Sequence, residues 1–157
     1  MCVIVDTNCF ACVFNSSDSS HAQFKPIFDH IDNGKSKLTI GGTGYMRELQ
    51  KLGRYSKLIA EMTRSRRAVT ADSAKVDALE ASIAGAFKDP SFNDKHIVAL
   101  TYASNAKLVC TKDKTLEKYT KAREFYNRGK SIPKIYNERS RASVLPEQHF
   151  RPLCKLC

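Results

Sequence analysis

The stretch that decides the fold is MCVIVDTN, residues 1–8, in which three apolar residues are followed at once by Asp6. Valine and isoleucine favour strands, so residues 2–5 are predicted to form a buried strand. A carboxylate is rarely buried without a partner, so Asp6 indicates a polar site directly after the strand. Its role depends on which other acids reach the same edge of the sheet.

The rest of the chain alternates short apolar runs with helical patterns. Further strands are predicted at 37–40, 67–70, 107–111 and 132–136. Helices are predicted at 10–14, 24–33, 45–62, 73–87, 94–106 and 115–129. Thr43 is the predicted N-cap of the 45–62 helix. The alternation predicts an α/β fold, a three-layer sandwich with a central, mostly parallel sheet and helices on both faces.

The composition is that of one globular domain. A chain of 157 residues with 42% hydrophobic residues is long and apolar enough for a single core. No apolar run approaches the roughly 18 residues that cross a bilayer, and the first residues do not resemble a signal peptide. We therefore expect a cytoplasmic protein with no membrane partner. Residues 1–138 are assigned to the domain and 139–157 to a basic C-terminal tail.

Positive charge is in excess and unevenly distributed. The chain has 26 Lys and Arg against 16 Asp and Glu, a formal net charge of +10. Residues 112–155 hold 12 of the basic side chains and only 5 of the acidic ones. Such a surface attracts polyanions, nucleic acid first. The alternative is a solvated basic face with no partner.

Four acids are predicted to lie at the carboxyl edge of the sheet, where open parallel sheets bind ligands. They are Asp6 after the first strand, Glu48 in the helix after the second, Asp94 before the fourth strand and Asp113 after it. Converging carboxylates repel one another, and a hard divalent cation such as Mg²⁺ removes that conflict. Helix capping is the alternative role for each acid alone, above all for Asp94.

The four acidic blocks resemble those of the PIN-domain nucleases. VDTN, the helical REL, NDKHIVALTYA and LVCTKDKTL occur in the family's order over residues 1–136. The resemblance implies an endoribonuclease that uses Mg²⁺ or Mn²⁺. It implies that the metal ligands and catalytic residues are Asp6, Glu48, Asp94 and Asp113. By the same resemblance, Thr7 and Asn8 would orient Asp6, Thr111 would hydrogen-bond near the site, and Thr115 would be a further supporting residue. Thr115 stands where many relatives carry a further acid or Asn, a departure that argues against a tightly held second metal.

The expected partners follow from the charge and from the resemblance. Basic residues beside the acidic blocks are expected to contact the RNA backbone, namely Arg47, Lys51, Lys112 and Lys114. Small single-domain members of the family are often VapC-like toxins, so an antitoxin protein and a homodimer are also expected. The alternatives are an RNA-processing nuclease of the same family and a catalytically weak nucleic-acid-binding module.

Histidine and cysteine residues are given structural interpretations. His96, two residues after Asp94, is predicted to lie in the core or just behind the site. Cys9/Cys12 and Cys154/Cys157 have the spacing of a four-thiolate zinc site. The first pair belongs to an apolar helical run, however, where small buried residues are usual. With no export signal, reduced thiols are expected.

Overall fold

A computed structural model describes residues 1–126, 132–140 and 145. Within them, five strands form one sheet: β1 (Cys2–Val5), β2 (Lys37–Ile40), β3 (Ala68–Thr70), β4 (Leu108–Cys110) and β5 (Lys134–Tyr136). All neighbouring strands pair in parallel, in the order β3-β2-β1-β4-β5. The central strand β1 is buried at all four residues, as its apolar run predicts.

Seven α-helices lie in the described part of the chain. They are α1 (Phe10–Phe14), α2 (His21–Asp32), α3 (Thr43–Lys51), α4 (Ser56–Arg64), α5 (Ser73–Ala86), α6 (Lys95–Ser104) and α7 (Lys114–Thr120). The helix α1 packs on α2 and α5 packs on α6, which also contacts α3, α7 and β1. This arrangement confirms the predicted α/β sandwich around a parallel sheet.

The direction in which successive strands are added to the sheet reverses between β1 and β4. From β1 the chain moves outward through β2 to β3, then returns to the other side of β1 as β4 and continues to β5. Because Val5 pairs with Cys110, the residues that follow these two strands leave the sheet side by side. In open α/β sheets such a reversal opens a crevice beyond the carboxyl ends of the strands. The fold therefore places Asp6 and Thr111 at the mouth of that crevice.

Two of the predicted helices are wrong in length. The helix predicted over 45–62 is split, because α3 ends at Lys51 and a 3-10 turn, Gly53–Tyr55, precedes α4. Leu52 leaves the helical region with ψ 47°, and Gly53 lowers helix propensity at the break. The helix predicted over 115–129 ends at Thr120, and the glycine expected to close it lies outside the described residues.

The prediction that Thr43 caps α3 is also wrong. Thr43 is the first helical residue, and the capping position belongs to Gly42, whose φ of +79° favours glycine. Asp77 of α5 supplies the missing acceptor, since it accepts from the Thr43 backbone N–H at 2.7 Å and from the hydroxyl at 2.6 Å. These bonds lower the pKa of Asp77. The start of α3 is thus fixed by a neighbouring helix.

Little of the C-terminal tail assigned to 139–157 belongs to the described residues. Arg139 and Ser140 follow β5, and Leu145 is buried against the core. The rest of the tail, with the Cys154/Cys157 pair, lies outside them. No helix in the described ranges combines the length and apolar character needed to cross a membrane.

Candidate metal centre

One cleft at the carboxyl edge of the sheet collects all four predicted acids. Its volume is about 440 Å³, and it is lined by Asp6, Thr7, Asn8, Glu48, Lys51, Leu52, Asn93, Asp94 and Asp113. The lining comes from the end of β1, from α3, from the start of α6 and from the connection after β4. Segments far apart in the chain therefore meet at the point where the sheet order reverses.

Asp6 is the most deeply placed of these acids. Only 3% of its surface is exposed. Its Oδ2 accepts the Thr111 hydroxyl at 2.7 Å, and its Oδ1 accepts the Asn8 backbone N–H at 3.4 Å. The pKa of Asp6 is raised to about 6, mainly by burial and to a smaller degree by the carboxylates of Asp94 and Glu48, while those hydrogen bonds act to lower it. Asn8 thus contacts the acid that it was predicted to orient, and the bond that Thr111 was expected to make near the site is to the same acid.

Asp113 caps α7 and also lines the cleft. Its Oδ1 accepts the backbone N–H groups of Thr115 at 2.6 Å and of Leu116 at 3.2 Å. Its own backbone N–H donates to the Thr111 hydroxyl at 2.9 Å, so Thr111 joins Asp6 and Asp113. Since both capping bonds use Oδ1, Oδ2 is available to a ligand. Thr115 supports the site through its backbone.

Glu48 reaches the cleft from α3 and is held there by two neighbours. The Thr7 hydroxyl donates to Glu48 Oε2 at 2.9 Å. The same oxygen lies 3.4 Å from His96 Nε2, within ion-pair distance. Thr7, another predicted supporting residue, therefore positions Glu48 rather than Asp6, a partner that sequence reasoning did not identify.

Asp94 stands at the N-terminus of α6 without acting as its cap. The residue occupies the capping position, but its side chain makes no capping hydrogen bond. Burial raises the pKa of Asp94, and nearby Glu48 and Asp113 add to the effect while His96 opposes it. The capping role, which was the alternative for Asp94, is not what the side chain does.

Two residues of this site were not predicted as functional. Asn93 lines the cleft beside Asp94, and its place next to an acid in a loop is the only sequence signal for it. His96 is buried, as predicted, but its Nε2 faces Glu48 rather than the apolar core. His96 lies two residues after Asp94, on the first turn of α6. That position is compatible with a ring that faces the acidic site and with one that faces the apolar core.

The donor atoms fit a divalent cation. Glu48, Asp94 and His96 each offer one ligand atom, and these atoms lie within 4.8 Å of one another. Carboxylate oxygens suit Mg²⁺ and Mn²⁺, and an imidazole nitrogen is compatible with Mn²⁺. Burial is the main cause of the raised pKa of Asp6, and the nearby carboxylates of Asp94 and Glu48 add to it. A bound cation would stabilise the charged form of these acids.

The predicted RNA-binding residues fall in three places. Lys51 lines the acidic cleft, whereas Arg47 is exposed on α3 outside its lining. Lys112 and Lys114 line a second cleft of about 420 Å³, together with Glu117, Lys118, Lys121, Asn137, Glu138 and Arg139. Asp113 lines the first cleft and its two neighbours line the second, so the connection between β4 and α7 serves both.

The cysteines near β1 and β4 are mostly thiols within the core. Cys9, Cys12 and Cys110 are free and buried, as expected for small apolar residues. Cys2 is disulfide-bonded, which corrects the expectation that all the thiols are reduced.

Comparisons of the chain with protein families, with curated proteins and with solved structures found no match. The likeness to PIN-domain nucleases rests on the four sequence blocks.

Proposed function

We propose that this protein is a metal-dependent endoribonuclease of the PIN type, which hydrolyses RNA phosphodiester bonds with Mg²⁺ or Mn²⁺. The observation that supports this most strongly is the convergence of Asp6, Glu48, Asp94 and Asp113 in one cleft. A protein of net charge +10 would bring RNA to that cleft in spite of its acids. A purely structural set of acids would have no reason to gather where burial raises the pKa of Asp6 and of Asp94.

The side chains divide the chemical work between them. Asp6, Asp94 and Asp113 would hold a divalent cation, and Glu48 would either hold it or take the proton from the attacking water. When bound, the cation would supply positive charge to the phosphate and activate water. Thr111 and Thr7 orient the carboxylates through the bonds at 2.7 and 2.9 Å. Lys51, on the rim, contacts the RNA phosphates.

The proposal includes the cellular setting that the resemblance implies. The protein and its RNA substrates would both be cytoplasmic. An antitoxin protein would block the cleft of a VapC-like toxin, and a homodimer would be its working form. Brief expression in a bacterial host should then arrest growth and create new 5′ ends in defined transcripts, and Asp6→Asn should do neither.

Cleavage of a labelled single-stranded RNA by the purified protein tests the activity. We expect products with Mg²⁺ or Mn²⁺ and none with EDTA. Asp6→Asn and Asp113→Asn should each lower the rate by at least about 10²-fold, because each removes a charge that holds the metal. RNA binding should be unchanged or tighter, since a negative charge near phosphate is lost.

Asp29→Asn is the matched control, because Asp29 is a surface acid of α2 that pairs with Lys25 at 2.6 Å. The Asp29→Asn protein should cleave the RNA at the wild-type rate. Wild-type protein that binds RNA but never cuts it with either metal would contradict the proposal and favour a nucleic-acid-binding module.

A further inference from the structure

We propose that His96 is a nitrogen ligand of the metal in the acidic cleft, and that it makes the site prefer Mn²⁺ to Mg²⁺. This inference rests on the proposed metal-dependent function and narrows it to one class of cation. It adds to the four acids a ligand of a different chemical type.

The first observation is a buried nitrogen with no hydrogen bond. The His96 side chain is 6% exposed, and its Nε2 makes no hydrogen bond with the described residues. Glu48 Oε2 lies 3.4 Å away, near enough for attraction but without hydrogen-bond geometry. Buried polar atoms in folded proteins nearly always have a partner, so a bound ion is a natural partner for this one.

The second observation is the spacing of the donor atoms. One atom each from Glu48, Asp94 and His96 lies within 4.8 Å of the others. Ligand atoms about 2.1 Å from a shared octahedral ion lie about 3 to 4.2 Å apart. Movements of less than about 1 Å would therefore close these three side chains around one cation.

The third observation is that packing fixes the position of His96. A Cβ on Gly44 of α3 would lie 2.9 Å from His96 Cβ, so the absence of a side chain there allows α6 to approach α3. The Tyr45 ring lies 6.4 Å from the imidazole, and its hydroxyl is anchored to the Val5 carbonyl at 2.5 Å. The imidazole is thus placed before any metal arrives.

Metal preference follows from the donor types. Mg²⁺ is a hard ion that binds oxygen and retains its water, whereas imidazole nitrogen suits first-row transition metals. A site of carboxylates alone discriminates weakly between Mg²⁺ and Mn²⁺. Replacing one oxygen by the His96 nitrogen should favour Mn²⁺.

Pulsed electron paramagnetic resonance of the wild-type protein loaded with Mn²⁺ tests the contact directly. We expect a ¹⁴N coupling that changes to ¹⁵N when the histidines are isotopically labelled. This measurement needs no variant and no RNA. Mn²⁺ that binds without nitrogen coupling would overturn the role of His96 and leave the proposed nuclease standing, whereas failure of Mn²⁺ and Mg²⁺ to bind at all would overturn both.

Calorimetric titration of His96→Gln with each metal tests the preference. Affinity for Mn²⁺ should fall by about 10-fold or more, and affinity for Mg²⁺ by less than about 3-fold. His21→Gln is the control, because His21 bonds the Cys12 carbonyl at 2.9 Å outside the cleft lining, and both affinities should be unchanged. The proposed preference for Mn²⁺ would be overturned if His96→Gln lost affinity for both metals by the same factor while keeping a wild-type circular dichroism spectrum.

Discussion

Asp6 occupies a position where an ionised carboxylate is costly. It is 3% exposed, and among the described residues only Thr111 and Asn8 donate hydrogen bonds to it. The pKa raised to about 6 expresses that cost, since burial disfavours the charged form. A residue selected for stability alone would be neutral here.

Asp6→Asn should therefore stabilise the metal-free protein. At pH 8 the pKa difference, from 3.8 to about 6, corresponds to a gain of up to about 3 kcal/mol in the free energy of unfolding. Urea unfolding in EDTA measures it. A loss of stability instead would show that the Thr111 and Asn8 bonds outweigh burial.

The sign of the pH dependence follows from the direction of that shift. An acid whose pKa is raised on folding binds its proton more tightly in the native state, so its contribution is favourable below the unfolded pKa. That contribution is lost as the pH rises through about 6. The gain from Asp6→Asn should thus be small at pH 4 and full at pH 8.

Single residues also show how much of the site could be predicted from the sequence. Asp6, Asp94 and Asp113 could be placed at one edge because each lies next to a strand or a helix start. The environment of His96 could not be predicted, because helical spacing allows its ring to face either Glu48 or the apolar core. Which one it faces depends on how closely α3 approaches α6, a property of the packing of two helices and not of either segment.

Among the elements, α3 matters most to the site because it carries Glu48. Its start is held by Asp77 of α5, and its face is held against α6 by the close approach at Gly44. These contacts join parts of the chain that no local pattern connects, which is why the sequence predicted the helix but neither its cap nor its break at Leu52.

Gly44→Ala should displace α3 and weaken the site. Its new Cβ would lie 2.9 Å from His96 Cβ and 3.1 Å from Glu80 Oε2, so the helices must separate. We expect a loss of about 1–3 kcal/mol in stability and a lower affinity for Mn²⁺ in calorimetric titration.

Gly85→Ala is the matched control on α5. A Cβ there meets nothing within 4 Å, and alanine is favoured over glycine in a helix by about 1 kcal/mol. It should stabilise the protein and leave metal affinity unchanged. Equal changes in stability and in metal affinity for Gly44→Ala and Gly85→Ala would contradict the tight contact between α3 and α6.

On the scale of the whole molecule, two clefts of opposite character share the β4–α7 connection. In the second cleft, Lys112 pairs with Glu138 at 3.2 Å and Lys121 pairs with Glu117 at 2.5 Å. Neither Lys114 nor Lys118 forms an ion pair within the described part of the chain, although Lys118 lies near enough to Asp89 to lower the pKa of that acid. Under the proposed function, these two lysines would contact phosphates of an RNA strand that extends from the acidic cleft.

The double variant Lys114→Gln/Lys118→Gln should weaken RNA binding through the salt-dependent part of the affinity. Two lost phosphate contacts should reduce the slope of log K against log salt by about 1.4 for single-stranded RNA. Binding in EDTA, where no cleavage occurs, measures it. The pair Lys57→Gln/Lys75→Gln, exposed lysines outside both cleft linings, should keep the wild-type slope, and equal slopes for all proteins would exclude the second cleft as the path of the RNA.

The pairing of β1 with β4 has a consequence for synthesis. Asp6 and Thr111 are 105 positions apart, so during synthesis β1 gains β4 as its second neighbour only once the growing chain extends past Leu108. A nascent chain that stops before residue 108 lacks β4 and the residues beyond it, and so cannot assemble the cleft. Under the proposed nuclease function, the transcript would therefore be attached, up to that point in its translation, to a polypeptide that is unable to cut it.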